Sequence, residues 1–407
     1  MLDEAGEIRA DGGYELNARA FNTQLESVRG IAALMVAMFH IGQSKASGYG
    51  MLAFGADQGS PFWQAMAAAY AFIANGEAAV VLFFVLSGHV LMQSLEKESG
   101  ALAQVSFVFV VRRLLRLLPP VAFMILCFLA VFYVSSLGLP GVNWDHFAPI
   151  SIMRHMLLLQ ASINGVAWTL QVEMLGILVV LFAWLASRRF GPAAIWAVAI
   201  LLFVAGLDKA SSGFIPSVID PELRYFRFMF AFPAGMLIGP SLRIFEVTRM
   251  PAAVRATYPF LGCALILSSS YISERGTPLC TLAEVFGSCF LIASLVLGFN
   301  RRLGRLLDNP VLRFYGRISY SFYLLHPLSI VLFWNTPEWL AGFTQAGIPG
   351  VVIAFGLFLL SVAMVTPLAV LSHRHVEIPS IRLGRRIGDR VRSAPVPQRP
   401  DQSASRA

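Results

Sequence analysis

Apolar residues gather into long runs along most of the chain, and short polar segments separate them. Ten of these runs approach the length of about 20 mostly apolar residues that a helix needs to cross a bilayer. They lie near residues 28–46, 76–95, 118–138, 166–186, 191–208, 224–241, 256–273, 282–299, 318–336 and 348–371. The pattern predicts an all-α polytopic membrane protein with about ten transmembrane helices.

The composition also favours a membrane protein, because 57% of the 407 residues are apolar and only 13% are charged. Soluble globular chains have roughly 45–50% apolar and about 25% charged residues. Most of the 31 Lys and Arg residues fall in polar segments that are cytoplasmic if the N-terminus is inside. Positive residues near span ends are retained on that side. Both termini are therefore predicted to be cytoplasmic, and the net charge of +8 requires no nucleic-acid partner.

The two ends of the chain are predicted to differ from its middle. Residues 1–24 are polar and partly acidic, unlike a cleavable signal peptide, so the first span is interpreted as an uncleaved anchor. Residues 25–380 form the predicted transmembrane domain. Residues 381–407 are rich in Arg and then in Pro, Ser and Gln, which is typical of a disordered tail lying along anionic lipid headgroups. The four cysteines lack paired metal-ligand spacing, so no metal site is predicted.

Ionisable side chains inside the predicted spans are candidates for function, because each costs at least about 2.5 kcal/mol at the bilayer centre. They are Arg29, His40, His89, Glu173, Arg224 and His326. Helical rise places His40 and Glu173 roughly 10 Å below the outer surface, where a carboxylate beside an imidazole would make a general base. Ser87 and His326 fall near mid-membrane. The alternative, favoured for His89, is that each His only hydrogen-bonds a neighbouring helix.

Three arginines precede the third predicted span. Arg113 and Arg116 lie one turn apart on the same helix face, next to Arg112. Such a fork of guanidinium groups suits phosphate oxygens. Ordinary retention of positive charge on the cytoplasmic side explains the same residues equally well.

Aromatic and acidic residues in two predicted outer segments suit the hydroxyl groups of sugars. Loop tryptophans near span ends more often belong to the interfacial aromatic belt, which is the favoured interpretation here. The residues are Asp57, Trp63, Trp144, Asp145 and His146.

Six local sequences, in order from residue 25 to 379, resemble motifs of the acyltransferase-3 family of membrane O-acyltransferases. They are Leu25 to His40 with ten residues between Arg29 and His40, Val81 to Gly88, Arg112 to Pro119, Trp168 to Glu173, Arg317 to Pro327, and Glu377 to Pro379. Departures from the family pattern are Glu26, Ser27, His89 and Thr169, none of which removes a presumed catalytic side chain.

The resemblance implies transfer of an acyl group, usually acetyl, from cytoplasmic acyl-CoA to a hydroxyl group of an extracytoplasmic glycan or glycolipid, at a bacterial inner membrane. Acyl-CoA, as acetyl-CoA, is the donor substrate, no metal is required, and the lipid bilayer is the surrounding partner. Some relatives carry a fused periplasmic domain for the transfer step. For this chain the resemblance therefore implies either direct transfer of the acyl group to the acceptor or the use of a separate periplasmic protein. The acceptor could be O-antigen, exopolysaccharide, lipo-oligosaccharide, a periplasmic glucan or a small molecule, and succinyl could replace acetyl.

The predicted roles follow from residue type and resemblance together. Arg113 and Arg116, with Arg112, would hold the CoA phosphates. His40 would act as general base or carry the acyl group, and Glu173 would orient His40 or bind the acceptor. Arg29 would stabilise the thioester end or lock neighbouring helices. Five further residues are predicted to line the site: Ser87, His326, Tyr320, Tyr323 and Trp168. For Ser87 and His326, a role in helix packing is equally open.

Two other classes of protein fit part of the pattern. In a proton-coupled transporter or flippase, His40, Glu173 and His326 would form a proton relay. The repeated pair of interrupted spans typical of transporter halves is not found in the sequence. A structural membrane scaffold explains the composition but not six ordered polar motifs.

Overall fold

The computed structural model of the chain describes residues 18–46, 50–53, 59–136, 148–207, 227–244, 249–275, 277–334, 342–343 and 345–393. Asp57, Trp144, Asp145, His146 and Arg224, which the sequence singled out, lie outside these ranges. The regular secondary structure of the described residues is helical apart from one antiparallel pairing of two-residue strands, β1 (Lys45–Ala46) and β2 (Gly50–Met51).

The described residues form sixteen helices and one short π-helical segment. The first eight are α1 (Ala18–Gly42), α2 (Pro61–Ile73), α3 (Gly76–Glu96), α4 (Leu102–Ser136), α5 (Pro149–Met156), α6 (Trp168–Phe190), α7 (Ala193–Leu207) and α8 (Ala231–Met236). The others are α9 (Ile238–Ile244), α10 (Ala252–Ile272), α11 (Pro278–Val296), α12 (Arg301–Leu307), α13 (Pro310–Arg317), α14 (Ser319–Trp334), α15 (Gly350–Ser372), the π-helical segment (His373–Glu377) and α16 (Ile378–Ser393).

Within the described residues, seven helical stretches are long and apolar enough to cross a membrane, fewer than the ten predicted runs. They are Thr23–Gly42, Pro61–Glu96, Leu102–Tyr133, Trp168–Phe190, Ala252–Ile272, Pro278–Val296 and Gly350–Ser393. Two of the missing runs form the shorter apolar helices α7 and α14. The run predicted at 224–241 is divided between α8 and α9, and its apolar side chains are buried inside the bundle. Hydropathy alone does not reveal such an interruption within an apolar run.

Helix α1 lies at the centre of the bundle, against α3, α13, α14 and α15. Its crossing with α13 depends on two glycines: a Cβ on Gly30 would meet the Leu312 carbonyl oxygen, and one on Gly316 would meet that of Glu26. Small residues permit such backbone contact between membrane helices. The contact fixes the end of α1 that carries Arg29.

The segment between α5 and α6 enters the protein instead of crossing its surface. Leu158 and Asn164 are buried, and Asn164 Nδ2 donates to the Leu324 carbonyl oxygen, midway along α14, at 3.0 Å. Irregular backbone at membrane depth is tolerated where protein surrounds it. Because of this entry, α6 begins inside the bundle, so counting residues from an outer surface does not give the depth of Glu173.

The structure corrects the predicted disordered tail of 381–407 over residues 381–393, which are helical. Helix α16 continues to Ser393 and packs against α4, while residues 394–407 lie outside the described ranges. Three small residues spaced four apart, Ser380, Gly384 and Gly388, are buried in this contact. Composition alone predicted disorder because the exposed residues of α16 are mostly charged, whereas the buried face uses glycine and serine instead of large apolar side chains.

Candidate functional site

A cavity of about 550 Å³ lies where α1, α3, α4, α6, α14 and α16 meet. Apolar side chains of α3, such as Val80 and Phe84, form part of its wall. Its charged and hydroxyl-bearing lining residues are Glu26, Arg29, Ser87, Arg113, Arg116, Thr169, Glu173, Ser319, Tyr320, Tyr323 and Arg385. The fold thus gathers seven of the predicted site residues around one space.

Three guanidinium groups that α1 and α4 bring to this cavity have no ion-pair partner among the described residues. Arg29, Arg113 and Arg116 are half-buried, and none of them forms a salt bridge within the described parts of the chain. Glu173 is close enough to interact electrostatically with Arg29 and Arg113, and Glu377 and Glu26 interact with Arg29. Partly buried cations that lack a partner are costly. The excess of guanidinium charge over nearby carboxylate therefore makes the cavity suited to an anion such as phosphate.

Hydrogen bonds to the backbone fix the two tyrosines in the cavity wall. Tyr320 Oη donates to the Leu117 carbonyl oxygen at 2.9 Å. Tyr323 Oη lies 2.8 Å from Thr169 Oγ1 and 3.2 Å from the Val166 carbonyl oxygen. Ser319 Oγ is buried in the same wall and has no partner in the described structure. Its hydroxyl is the one wall donor left available to a ligand among these four side chains.

His40 and His326 stack on each other one turn beyond the cavity, with ring centroids 5.5 Å apart and planes at 28°. His326 is fully buried, and its Nδ1 donates to the Tyr323 carbonyl oxygen at 2.7 Å, since a carbonyl can only accept. The proton on Nδ1 leaves Nε2 as an acceptor, and no described group bonds to it. His40 has no hydrogen bond from its ring to any described residue and is half-buried.

Aromatic neighbours enclose this histidine pair. Phe39 packs edge-on against His40 at 5.4 Å, and Tyr323 and Phe322 lie 5.7 and 6.5 Å from His326. We call these five rings the aromatic layer. Tyr323 belongs both to this layer and to the cavity wall, so the layer begins where the cavity ends.

The spacing between Arg29 and His40 now has a geometric explanation. The two residues are eleven positions apart on α1, which is close to three full helical turns and about 16 Å of rise. Both side chains therefore lie on one face of the helix. One helix presents a cation to the cavity and an imidazole to the aromatic layer.

Three predicted site residues are placed differently from the sequence-based roles. Glu173 lies with the arginines and not beside His40, whose ring partners are Phe39 and His326. Arg112 turns away from the main cavity and pairs with Glu98 at 2.5 Å. Trp168 stacks on Phe228 at 5.5 Å and is absent from the cavity wall.

A second cavity of about 360 Å³ adjoins the first and shares Arg113, Arg116 and Arg385 with it. Arg112 and Asp389 line this second cavity. Sequence reasoning missed Arg385, because the tail was interpreted as disordered. The signal was the recurrence of small residues every fourth position in an otherwise basic segment.

Sequence reasoning also missed a buried carboxyl group on α11. Glu284 is fully buried, its Oε1 accepts from Ser269 Oγ at 3.0 Å, and its Oε2 has no described partner. An acidic residue inside the run predicted at 282–299 was the available signal. No group of three or more His, Cys, Asp or Glu residues that could hold a metal ion occurs in the described ranges.

The comparisons with known proteins give one match. The sequence model of a protein family described as an acyltransferase domain, acyltransferase-3, matches residues 22–370. No curated protein and no solved structure shows significant similarity to the chain. The matched segment includes every residue of the main cavity except Arg385.

Proposed function

Because this chain belongs to the acyltransferase-3 family, we propose that it transfers an acetyl group from cytoplasmic acetyl-CoA to a hydroxyl group of an extracytoplasmic glycan or glycolipid. One observation carries the proposal: guanidinium groups of α1 and α4 that have no salt bridge among the described residues share a cavity whose wall, at Tyr323, adjoins a stacked histidine pair. The first feature suits the phosphates of CoA, and the second suits proton transfer at the thioester.

The proposed orientation places the cavity on the cytoplasmic side of a bacterial inner membrane. The seven long helices, the two short apolar helices and the interrupted run at 224–241 would together make about ten crossings. Both termini would then be cytoplasmic, and the distribution of Lys and Arg supports this arrangement. The donor would enter from the cytoplasm and reach the aromatic layer from the cavity.

Arg113 and Arg116 are the proposed ligands of the CoA diphosphate. They lie one turn apart on α4, and both line the two adjoining cavities. Arg29, across the cavity on α1, would contact the polar part of the pantetheine arm. Glu173 would limit the repulsion among the three cations, since opposite charges nearby favour the ionised forms. This role replaces the orientation of His40 predicted from the sequence.

The pantetheine arm would carry the thioester from the arginines to the histidine pair. Its thin, flexible chain suits the distance of about 16 Å along α1 that separates Arg29 from His40. Tyr323 and Ser319 would guide it, the serine through its unpaired hydroxyl. Holding the reacting carbonyl next to an imidazole in this way lowers the entropic part of the barrier.

In the proposed reaction, His40 accepts the proton of the acceptor hydroxyl while the hydroxyl oxygen attacks the thioester carbonyl. The carbon–sulfur bond breaks, and the CoA thiolate leaves and takes the proton from the imidazolium. In the other order, His40 first receives the acetyl group and then passes it to the acceptor. His326 would orient the His40 ring by stacking.

The test uses purified protein in lipid nanodiscs with acetyl-CoA and extracted envelope glycans. We expect acceptor-dependent release of the free CoA thiol and the appearance of an acetyl ester, detected by mass spectrometry of the glycan. A proton-coupled transporter would release no thiol. Failure of every tested acyl-CoA to bind or turn over would refute the proposed function.

A further inference from the structure

We propose that α16 completes the donor site and that Arg385 binds the 3′-phosphate on the ribose of CoA. The inference rests on the proposed use of acyl-CoA. It adds a residue outside the matched family segment, which ends at 370. It also gives a reason for the donor to be a CoA thioester instead of a thioester of protein-bound phosphopantetheine, which has no nucleotide.

The position of Arg385 is the first observation. Arg385 lines both cavities together with Arg113 and Arg116. Its guanidinium forms no salt bridge with any described residue. Three cations from two helices therefore meet where the cavities join. This geometry offers separate ligands for the diphosphate and for a further phosphate group.

The second cavity supplies the space for the nucleoside. Its volume of about 360 Å³ is bounded partly by apolar side chains, including Leu91, Phe109 and Ile381. An adenine ring suits such a surface, because aromatic and aliphatic side chains contact the faces of a base. With the base against this wall and the diphosphate between Arg113 and Arg116, the ribose 3′-phosphate would lie near Arg385.

Packing holds α16 in place, which separates it from a basic helix lying loosely on lipid headgroups. A Cβ on Gly384 would lie 3.3 Å from Arg112 Cα, and one on Gly388 would come within 2.8 Å of the Arg112 and Val108 side chains, so α16 and α4 are in close contact. Gln104 Nε2 donates to the Val391 carbonyl oxygen at 2.7 Å. A helix attached in this way can present Arg385 at a fixed position.

Ion pairs and a buried carboxylate strengthen the attachment. Glu98 accepts from both Arg112 and Arg392, and Asp389 lies 3.7 Å from Arg112. At the other end, the buried Glu377 accepts from Ser321 Oγ at 3.1 Å. Arg112 is therefore a positioning residue for α16 instead of a direct phosphate ligand.

Neighbouring arginines on α16 provide a matched control. Arg386 is exposed, as Arg385 is, but it lines neither cavity. Both residues carry the same charge at adjacent positions of α16. A difference between their variants therefore reports the cavity and not the net charge of the helix.

The experiment measures the affinity of the full-length protein in nanodiscs for CoA and for 3′-dephospho-CoA by calorimetry. We expect the unmodified protein and Arg386→Ala to bind CoA about 10-fold or more tightly than 3′-dephospho-CoA, the effect of one charged hydrogen-bonding contact. In Arg385→Ala this preference should disappear through weaker CoA binding, while affinity for 3′-dephospho-CoA stays unchanged. Arg385→Lys should retain part of the preference.

Two results would overturn the inference while leaving the proposed function in place. One is an unchanged preference for CoA in Arg385→Ala. The other is an equal loss of affinity for both ligands, which would indicate a general effect on the cavity. If the unmodified protein binds neither ligand, the proposed donor and this inference both fail. Thermal melting of each variant checks that folding is equal.

Discussion

The catalytic role proposed for His40 can be tested by comparing His40→Ala with His40→Gln. The imidazole has no hydrogen bond to any described residue, and its structural contacts are ring packing with Phe39 and His326. Neither substitution therefore leaves a described polar group without its partner. The loss of stability should be limited to truncation of a half-buried ring, about 1–2 kcal/mol.

The expected loss of activity is larger than that. A positioned acid or base contributes about 10²- to 10⁴-fold to the rate, which corresponds to about 2.7–5.4 kcal/mol of activation free energy. Gln keeps a polar side chain but cannot accept a proton at neutral pH or carry an acyl group. Both variants should therefore lose at least about 100-fold in turnover, while CoA affinity at the arginines is retained.

The assay follows acetyl transfer by purified protein in lipid nanodiscs, with thermal melting and CoA calorimetry on the same samples. A packing histidine gives the opposite order, with turnover of the Gln variant near normal and that of the Ala variant reduced in proportion to its stability. Near-normal turnover of His40→Gln would refute the reasoning. Lost CoA affinity in both variants would instead indicate that the cavity had changed shape.

Three further outcomes are expected. The double variant Arg113→Ala/Arg116→Ala should weaken CoA binding about 100-fold or more in calorimetry, since two charged contacts are removed, and unchanged affinity would exclude both residues from the site. A chain ending at Ser380 should bind CoA at least about 10-fold more weakly than one ending at Ser393, because only the shorter chain lacks most of α16; equal affinities would make α16 dispensable. In His326→Phe, one hydrogen bond and one unpaired buried nitrogen are lost together, so the free energy of unfolding should change by less than about 1 kcal/mol. Turnover should fall about 10-fold or more, because the proposed role of His326 in orienting His40 depends on its stacking and on its bond to Tyr323. Wild-type turnover in that variant would assign His326 to packing alone.

Much of the site follows from periodicity along single helices. The eleven-residue spacing of Arg29 and His40 and the one-turn spacing of Arg113 and Arg116 fix the relative directions of these side chains before any tertiary structure is known. Tyr320 and Tyr323 share a face for the same reason. What a single helix determines could be predicted from the sequence.

Relations between helices could not be predicted in the same way. The level of Glu173 depends on the segment before α6, which enters the bundle through Asn164 and its bond to α14. The direction of the Arg112 side chain depends on its ion pair with Glu98, which lies just after α3. Nothing in the sequence around Glu98 indicates that Arg112 is its partner. The attachment of α16 depends on glycines, whose contribution to packing is invisible to hydropathy.

The aromatic layer has a consequence for the membrane itself. A polar cavity that enters a spanning bundle shortens the apolar distance that an ion must cross, and here the aromatic layer, with the stacked rings of His40 and His326, adjoins the cavity wall at Tyr323. An ion would have to lose its water to pass between such rings, at a cost of many kcal/mol. In the proposed reaction an acetyl group crosses this layer while bonded to sulfur, nitrogen or oxygen and never as a free ion. The protein would thus pass acetyl groups from one side of the membrane to the other while the ion gradients across the bilayer are kept. The aromatic rings would form the barrier to ions.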